Sequence, residues 1–169
     1  MGAVYRKDDR MSAPTQSIAS VVQARASTAI TTFEDMAVGM VGMFSKTITD
    51  ADLIMFVGVS GDTNPVHLDE DYASGTMFKG RVAHGALTAS FISTVLGTKL
   101  PGPGSIYVAQ TLKFTAPVHV GDTVTARCEV ISLVPEKRIA VFKTQCFVRD
   151  TLVIDGEAQL KLPSRTKKG

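Results

Sequence analysis

The chain has 169 residues, 44% of them apolar and 20% charged, with a formal net charge of +2. That is the size of one ordinary domain whose core needs neither disulfides nor a structural metal, and the charge is too small to draw a polyanion, which argues against nucleic acid as a partner. Every apolar run is broken by Gly, Ser, Thr or charge before it reaches the roughly 20 residues that cross a bilayer, so no membrane span is expected.

Residues 1–32 are rich in Ser, Ala and Thr and carry Arg6, Lys7, Arg10 and Arg25 without sustained periodicity, so a mobile extension is expected there. Met40 to Ile48 alternates as a first strand. Thr49 then offers a capping hydroxyl with Asp52 three residues on, which predicts a helix through Leu53, Phe56, Val57 and Ser60 that stops at Gly61. Residues 69–80 read as a mixed segment with one short helical turn. From Gly85 to Thr98 the residues are apolar or small on every side, the pattern of a buried helix. Leu87, Phe91 and Val95 form a large stripe suited to a sheet. Ala86, Ala89, Ser90 and Ser93 form a small one that permits close approach by something else.

After the break at Pro101 to Gly104 come four long β-branched runs, Ser105–Phe114, Asp122–Val134, Arg138–Val148 and Leu152–Leu162, joined by short turns and therefore expected to pair antiparallel in succession. Cys128 and Cys146 lie in these strands without a C-x-x-C spacing, which indicates neither zinc nor a disulfide framework and fits a reducing cytoplasm. The order of elements predicts an α+β domain over residues 33–163, a curved antiparallel sheet around one central helix, followed by a basic tail at 164–169.

The segment Asp62-Thr63-Asn64-Pro65-Val66-His67 carries the chemistry. Asp62 and His67 are five residues apart, so they converge only if the chain bends; Gly61, Asn64 and Pro65 supply that bend, and Asn64 can brace it. On local residues alone the segment reads equally as an Asx turn with a packed histidine. A metal site is a third reading, since Asp69, Glu70 and Asp71 are near, but one histidine gives poor zinc spacing and the calcium-loop pattern is missing.

The run from Phe56 to His67, with Ala73 six residues later, resembles the signature of the MaoC-like, (R)-specific enoyl-CoA hydratases. The resemblance continues through Ala83-His84-Gly85, Leu96-Gly97, Leu100-Pro101-Gly102, Gly104 to Tyr107, Pro117-Val118, Val120-Gly121-Asp122 and Gly156-Glu157-Ala158, over roughly residues 35 to 163. It implies a hot-dog fold and a homodimer whose two sheets join, with an acyl tunnel near the interface and an acyl-CoA thioester as substrate. It implies an acid/base pair in Asp62 and His67, an oxyanion donor in the Gly85 amide and a helper in Ser93. Asn64, His84 and Tyr107 are the candidate substrate-binding residues. Neither cofactor nor metal is expected.

Water adding at C3 of a 2-enoyl thioester drives electrons onto the thioester oxygen. Three tasks follow: taking a proton from water, delivering one to C2, and meeting the oxyanion. Asp62 is the favoured base and His67 the favoured acid, and the first N–H of a helix suits Gly85 to the third task. The same residues would serve dehydration of an (R)-3-hydroxyacyl group on a carrier protein. A non-catalytic thioester-binding hot-dog domain and a hot-dog thioesterase are the other readings; the latter usually needs a carboxylate on the central helix, and residues 85–98 hold none.

Overall fold

The computed structural model describes residues 30–165. Most of the expected N-terminal extension, and the tail beyond Arg165, lie outside the described residues. Strand β1 (Val41–Thr47) leads into helix α1 (Asp50–Ser60), two short helices α2 (Pro65–Leu68) and α3 (Glu70–Ser74), and the central helix α4 (Gly85–Thr98). Strands β2 (Ile106–Phe114), β3 (Thr123–Val134), β4 (Ile139–Val148) and β5 (Thr151–Lys161) complete the chain.

The five strands form one antiparallel sheet in the order β1-β3-β4-β5-β2. Pairing in strict succession holds for β3, β4 and β5 but not for β2, which pairs with β5 and leaves β3 to β1. Residues 115–122 make the crossing. Eight residues reach up to about 26 Å, and the three strand spacings to be crossed need only about 14 Å, so the link carries the chain from one side of the sheet to the other.

The core lies between α4 and the concave face of the sheet. Alternate residues of β3 (Val124, Ala126, Cys128, Val130) and β4 (Ala140, Phe142, Thr144, Cys146) are buried, as a period of two requires. From the helix come Leu87, Phe91, Ile92, Val95 and Leu96, and Phe91 meets Phe44 of β1 edge to face at 5.6 Å. The large stripe read from the sequence is therefore the core face. The small stripe differs from the expectation of a helix buried on all sides: Ala86, Ser90 and Ser93 are exposed within the single chain. Among the described residues no helix is long and apolar enough to cross a membrane.

Both cysteines are free and buried, and burial pushes each thiol up to about 12. Iodoacetamide at pH 8 is expected to leave both unmodified in the native protein and to alkylate both in denaturant. Mass spectrometry counts the adducts, and rapid native labelling of either would contradict this packing.

Candidate active site

Helix α1 begins with a reciprocal cap: Thr49 Oγ1 accepts from the Asp52 N–H while Asp52 Oδ2 accepts from the Thr49 N–H. Lys46 of β1 reaches the same carboxylate and, with Thr49, holds the Asp52 carboxyl below its usual range. Leu53, fully buried, seats the helix on the core. Gly61 ends it with φ +75°, a left-handed conformation that favours glycine. Ser60 Oγ donates to Phe56 O and accepts from the Asp62 N–H, so the chain leaves the helix on a fixed heading.

The bend follows at once. The Asn64 N–H donates to Asp62 Oδ1 at 3.2 Å, and Asn64 Oδ1 accepts from the Val66 N–H at 3.3 Å. The second bond caps α2, whose first residue is Pro65, a position that tolerates the missing N–H. His67 thus sits on a one-turn helix rather than on the bent loop expected, and the bend is the start of that helix.

His67 is buried, and its Nδ1 lies 2.8 Å from Val82 O. A carbonyl only accepts, so Nδ1 carries the hydrogen and Nε2 is left for other work. That Nε2 is 4.0 Å from Asp62 Oδ2, whose side chain is half exposed. The gap is too long for a hydrogen bond. A single oxygen at about 2.8 Å from both would see them about 90° apart, so one water can contact the two groups together.

The segment that presents Val82 O is anchored on both sides. Arg81 Nη2 donates to Asp50 of α1 at 2.6 Å and its Nε to Glu70 of α3 at 3.4 Å. The Arg81 N–H also donates to Glu70 Oε2, and this bond is the first cause of a lowered Glu70 carboxyl. On the far side, Val82 makes an isolated bridge with His119.

Gly85 opens α4, so its N–H has no partner within the helix and lies at the positive end of the helix dipole. A side chain there has no room: a Cβ would stand 2.8 Å from the Phe114 ring. Gly85, Asn64 and His67 line one cleft of about 720 Å³ whose other lining residues are mostly apolar, among them Phe114, Val118, Ile154, Met77 and Phe78. Such a space takes an apolar chain with a polar head at the dyad.

Three candidate residues, Asn64, His67 and Gly85, line the cleft, and Asp62, which does not, joins them through its 4.0 Å approach to His67 Nε2. His84 is adjacent, 2% exposed, and is not among the residues that line the cleft. Ser93 is exposed, about 12 Å along α4 from Gly85, and outside the cleft. Tyr107 lies near the opposite end of β2 from Phe114, about 23 Å away, with its hydroxyl donating to Gln110 Oε1. Asp62, His67 and His84 each offer a ligand atom within 4.8 Å of the others. The two imidazoles lie stacked with centroids 3.7 Å apart, so their in-plane lone pairs run side by side and make a poor corner for a tetrahedral ion. Sequence reasoning missed Val82, because it acts through a carbonyl that every residue carries, and Arg81, whose partners lie 31 and 11 residues away.

Comparison with known proteins adds to this geometry. Residues 35–155 match the family described as MaoC like domain. The chain is 56% identical over 133 residues to an (R)-specific enoyl-CoA hydratase of Rhodospirillum rubrum, covering 79% of this chain and 92% of the relative. It is 48% identical to a 3-hydroxybutyryl-CoA dehydratase of Methylorubrum extorquens, covering 79% and 85%. The solved structure of an (R)-hydratase from Aeromonas caviae involved in PHA biosynthesis superposes with a TM-score of 0.75 at 44% identity, over 77% of this chain and 99% of that one.

The Glu70 anchor titrates. Its folded carboxyl lies below the ordinary 4.5, so its contribution is present above that value and is lost as pH falls through the folded one. Glu70→Gln is therefore expected to lower Tm relative to wild type at pH 7, with the difference closing toward pH 3. Thermal unfolding at the two pH values checks it, and an equal difference at both would show that the carboxylate is not the anchor.

Proposed function

The chain belongs to the MaoC-like domain family, and on that premise we propose that it is an (R)-specific enoyl-CoA hydratase, adding water reversibly to a trans-2-enoyl-CoA to give the (R)-3-hydroxyacyl-CoA. The observation that carries this reading is Asp62 Oδ2 and His67 Nε2 4.0 Å apart beside an apolar cleft that the Gly85 end of α4 also lines.

In the hydration direction the Asp62 carboxylate takes a proton from the shared water as its oxygen bonds to C3. The displaced π electrons move through C2 to the thioester oxygen, where the Gly85 N–H meets the negative charge. His67, carrying hydrogens on both nitrogens, delivers the Nε2 proton to C2 while its Nδ1–H stays on Val82 O. In reverse the two exchange roles. The fixed Nδ1–H matters in both directions, because it leaves Nε2 as the only nitrogen that gains and loses a proton. An oxyanion donor contributes about 3 to 4 kcal/mol and a positioned acid or base about 10²- to 10⁴-fold.

The active form in this reading is a homodimer. Among the described residues strand β2 is an unpaired edge of nine residues with Ile106, Tyr107, Val108, Leu112 and Phe114 all exposed, a liability for a lone chain in water. Antiparallel pairing of two β2 strands would join the sheets into one of ten strands and set the partner's Tyr107 near this chain's Phe114. That brings Tyr107 to the cleft from the other subunit. A second copy would also give the small stripe of Ala86, Ser90 and Ser93 something to face, the setting in which Ser93 would assist. The cytoplasm suits the two free thiols, and supply of (R)-3-hydroxyacyl-CoA for polyester storage is one role this reading suggests, beside fatty-acid oxidation and lipid synthesis.

Purified Asp62→Asn and His67→Gln are each expected to lose about 10²-fold or more in kcat on crotonyl-CoA, followed by loss of the enoyl-thioester absorbance, with circular dichroism unchanged. Near wild-type turnover by either would falsify the assignment, and chiral analysis of the product reads the stereochemistry. A carrier-protein thioester run beside the CoA ester decides the dehydratase alternative by rate. Val108→Lys is expected to shift the dimer toward monomer in light scattering and to lower activity with it; a fully active monomer would refute the role of β2.

A further inference from the structure

The geometry points to His84 as the positioning residue that holds the acid/base pair and the oxyanion donor in one frame, an inference that rests on the hydratase reading for its consequence on turnover. Its Nε2 lies 3.1 Å from Asp62 O, and since a carbonyl only accepts, Nε2 carries the hydrogen and donates. Its ring stacks on His67 at 3.7 Å and 29° and tilts against Phe56 at 4.9 Å. Its own peptide bond leads into Gly85, because His84 is the cap residue of α4. Two of the three groups assigned to the reaction therefore meet this side chain, Asp62 through its carbonyl and His67 through its ring, and the third, Gly85, is the next residue along its backbone.

The remaining atom explains why the residue is a histidine. With Nε2 donating, Nδ1 of a neutral ring is an acceptor, and it is buried without a hydrogen-bond partner in the structure. A buried polar atom left unpaired is unfavourable, so packing alone would select a phenylalanine. Phenylalanine would keep the stack and lose the N–H to Asp62. Glutamine would keep an N–H at similar reach and lose the stack. Histidine supplies a flat ring and an N–H at its tip within one small side chain, and the orphaned Nδ1 comes with that combination. The bond to Asp62 O matters most, because the Asn64 N–H that fixes the Asp62 carboxylate hangs on the same turn.

The test sets two full-length variants in opposition. His84→Phe is expected to lose about 30-fold in kcat on crotonyl-CoA with KM within about threefold, as misplacement of a reacting group by a fraction of an ångström does. His84→Gln is expected to recover about tenfold of that loss while having the lower Tm of the two. Amide exchange at Asn64 should quicken in His84→Phe and stay near wild type in His84→Gln. A purely structural role makes activity follow stability, so His84→Phe leading in both kcat and Tm, or an Asn64 amide indifferent to the substitution, overturns the proposal. A wild-type protein without turnover on any enoyl thioester sinks the hydratase reading instead, and the exchange measurement still decides the role of His84.

Discussion

Burial of one face of α4 against the concave side of the sheet is the constraint on which the rest depends. Leu87, Phe91, Ile92, Val95 and Leu96 cannot leave β3 and β4 without exposing the core, so the axis and rotation of the helix are set. Once they are, the helix start has one location, and Gly85 and His84 are delivered there. The proposed chemistry is then a matter of bringing Asp62 and His67 to a fixed point rather than of assembling a site from mobile parts.

The insertion between β1 and α4 does this with short-range bonds. The cap at Thr49, the left-handed Gly61 and the Asn64 cap each fix a few residues and hand the chain on in a defined direction. Two longer links close the path: Arg81 joins α1 and α3 to the segment before α4, and Val82 O takes the His67 Nδ1–H. The dyad is therefore held from the insertion and from the core at the same time.

What was legible in the sequence were the features encoded by neighbours. The span of α4 from Gly85 to Thr98, the Thr49 and Asp52 cap, the stop at Gly61 and the four long strands all follow from residues within a turn or two of one another. The hot-dog architecture followed from these together with the family signature. The partner of β2 was not legible, because strand pairing is chosen across the whole fold, and β5 lies almost 40 residues on. The one-turn helix under His67 had its signal in Asn64-Pro65 but is too short for periodicity to reveal. Ser93 and Tyr107 share another difficulty: their surroundings within one chain are only part of the story if β2 has a partner. For His84 the sequence allowed either a packed histidine or a residue near the substrate beside Gly85, and the depth of its ring, 2% exposed, is visible only in the fold.

Helix α4 and strand β2 separate two kinds of residue along the chain. The proposed reacting groups run from Asp62 to Gly85, whereas much of the apolar wall comes from Phe114 to Val118 and from Val153 and Ile154. Turns at residues 99–105 lie between the two blocks. A substitution beyond those turns reshapes much of the apolar wall without replacing a proposed reacting group, so the two can be altered by separate changes in the chain.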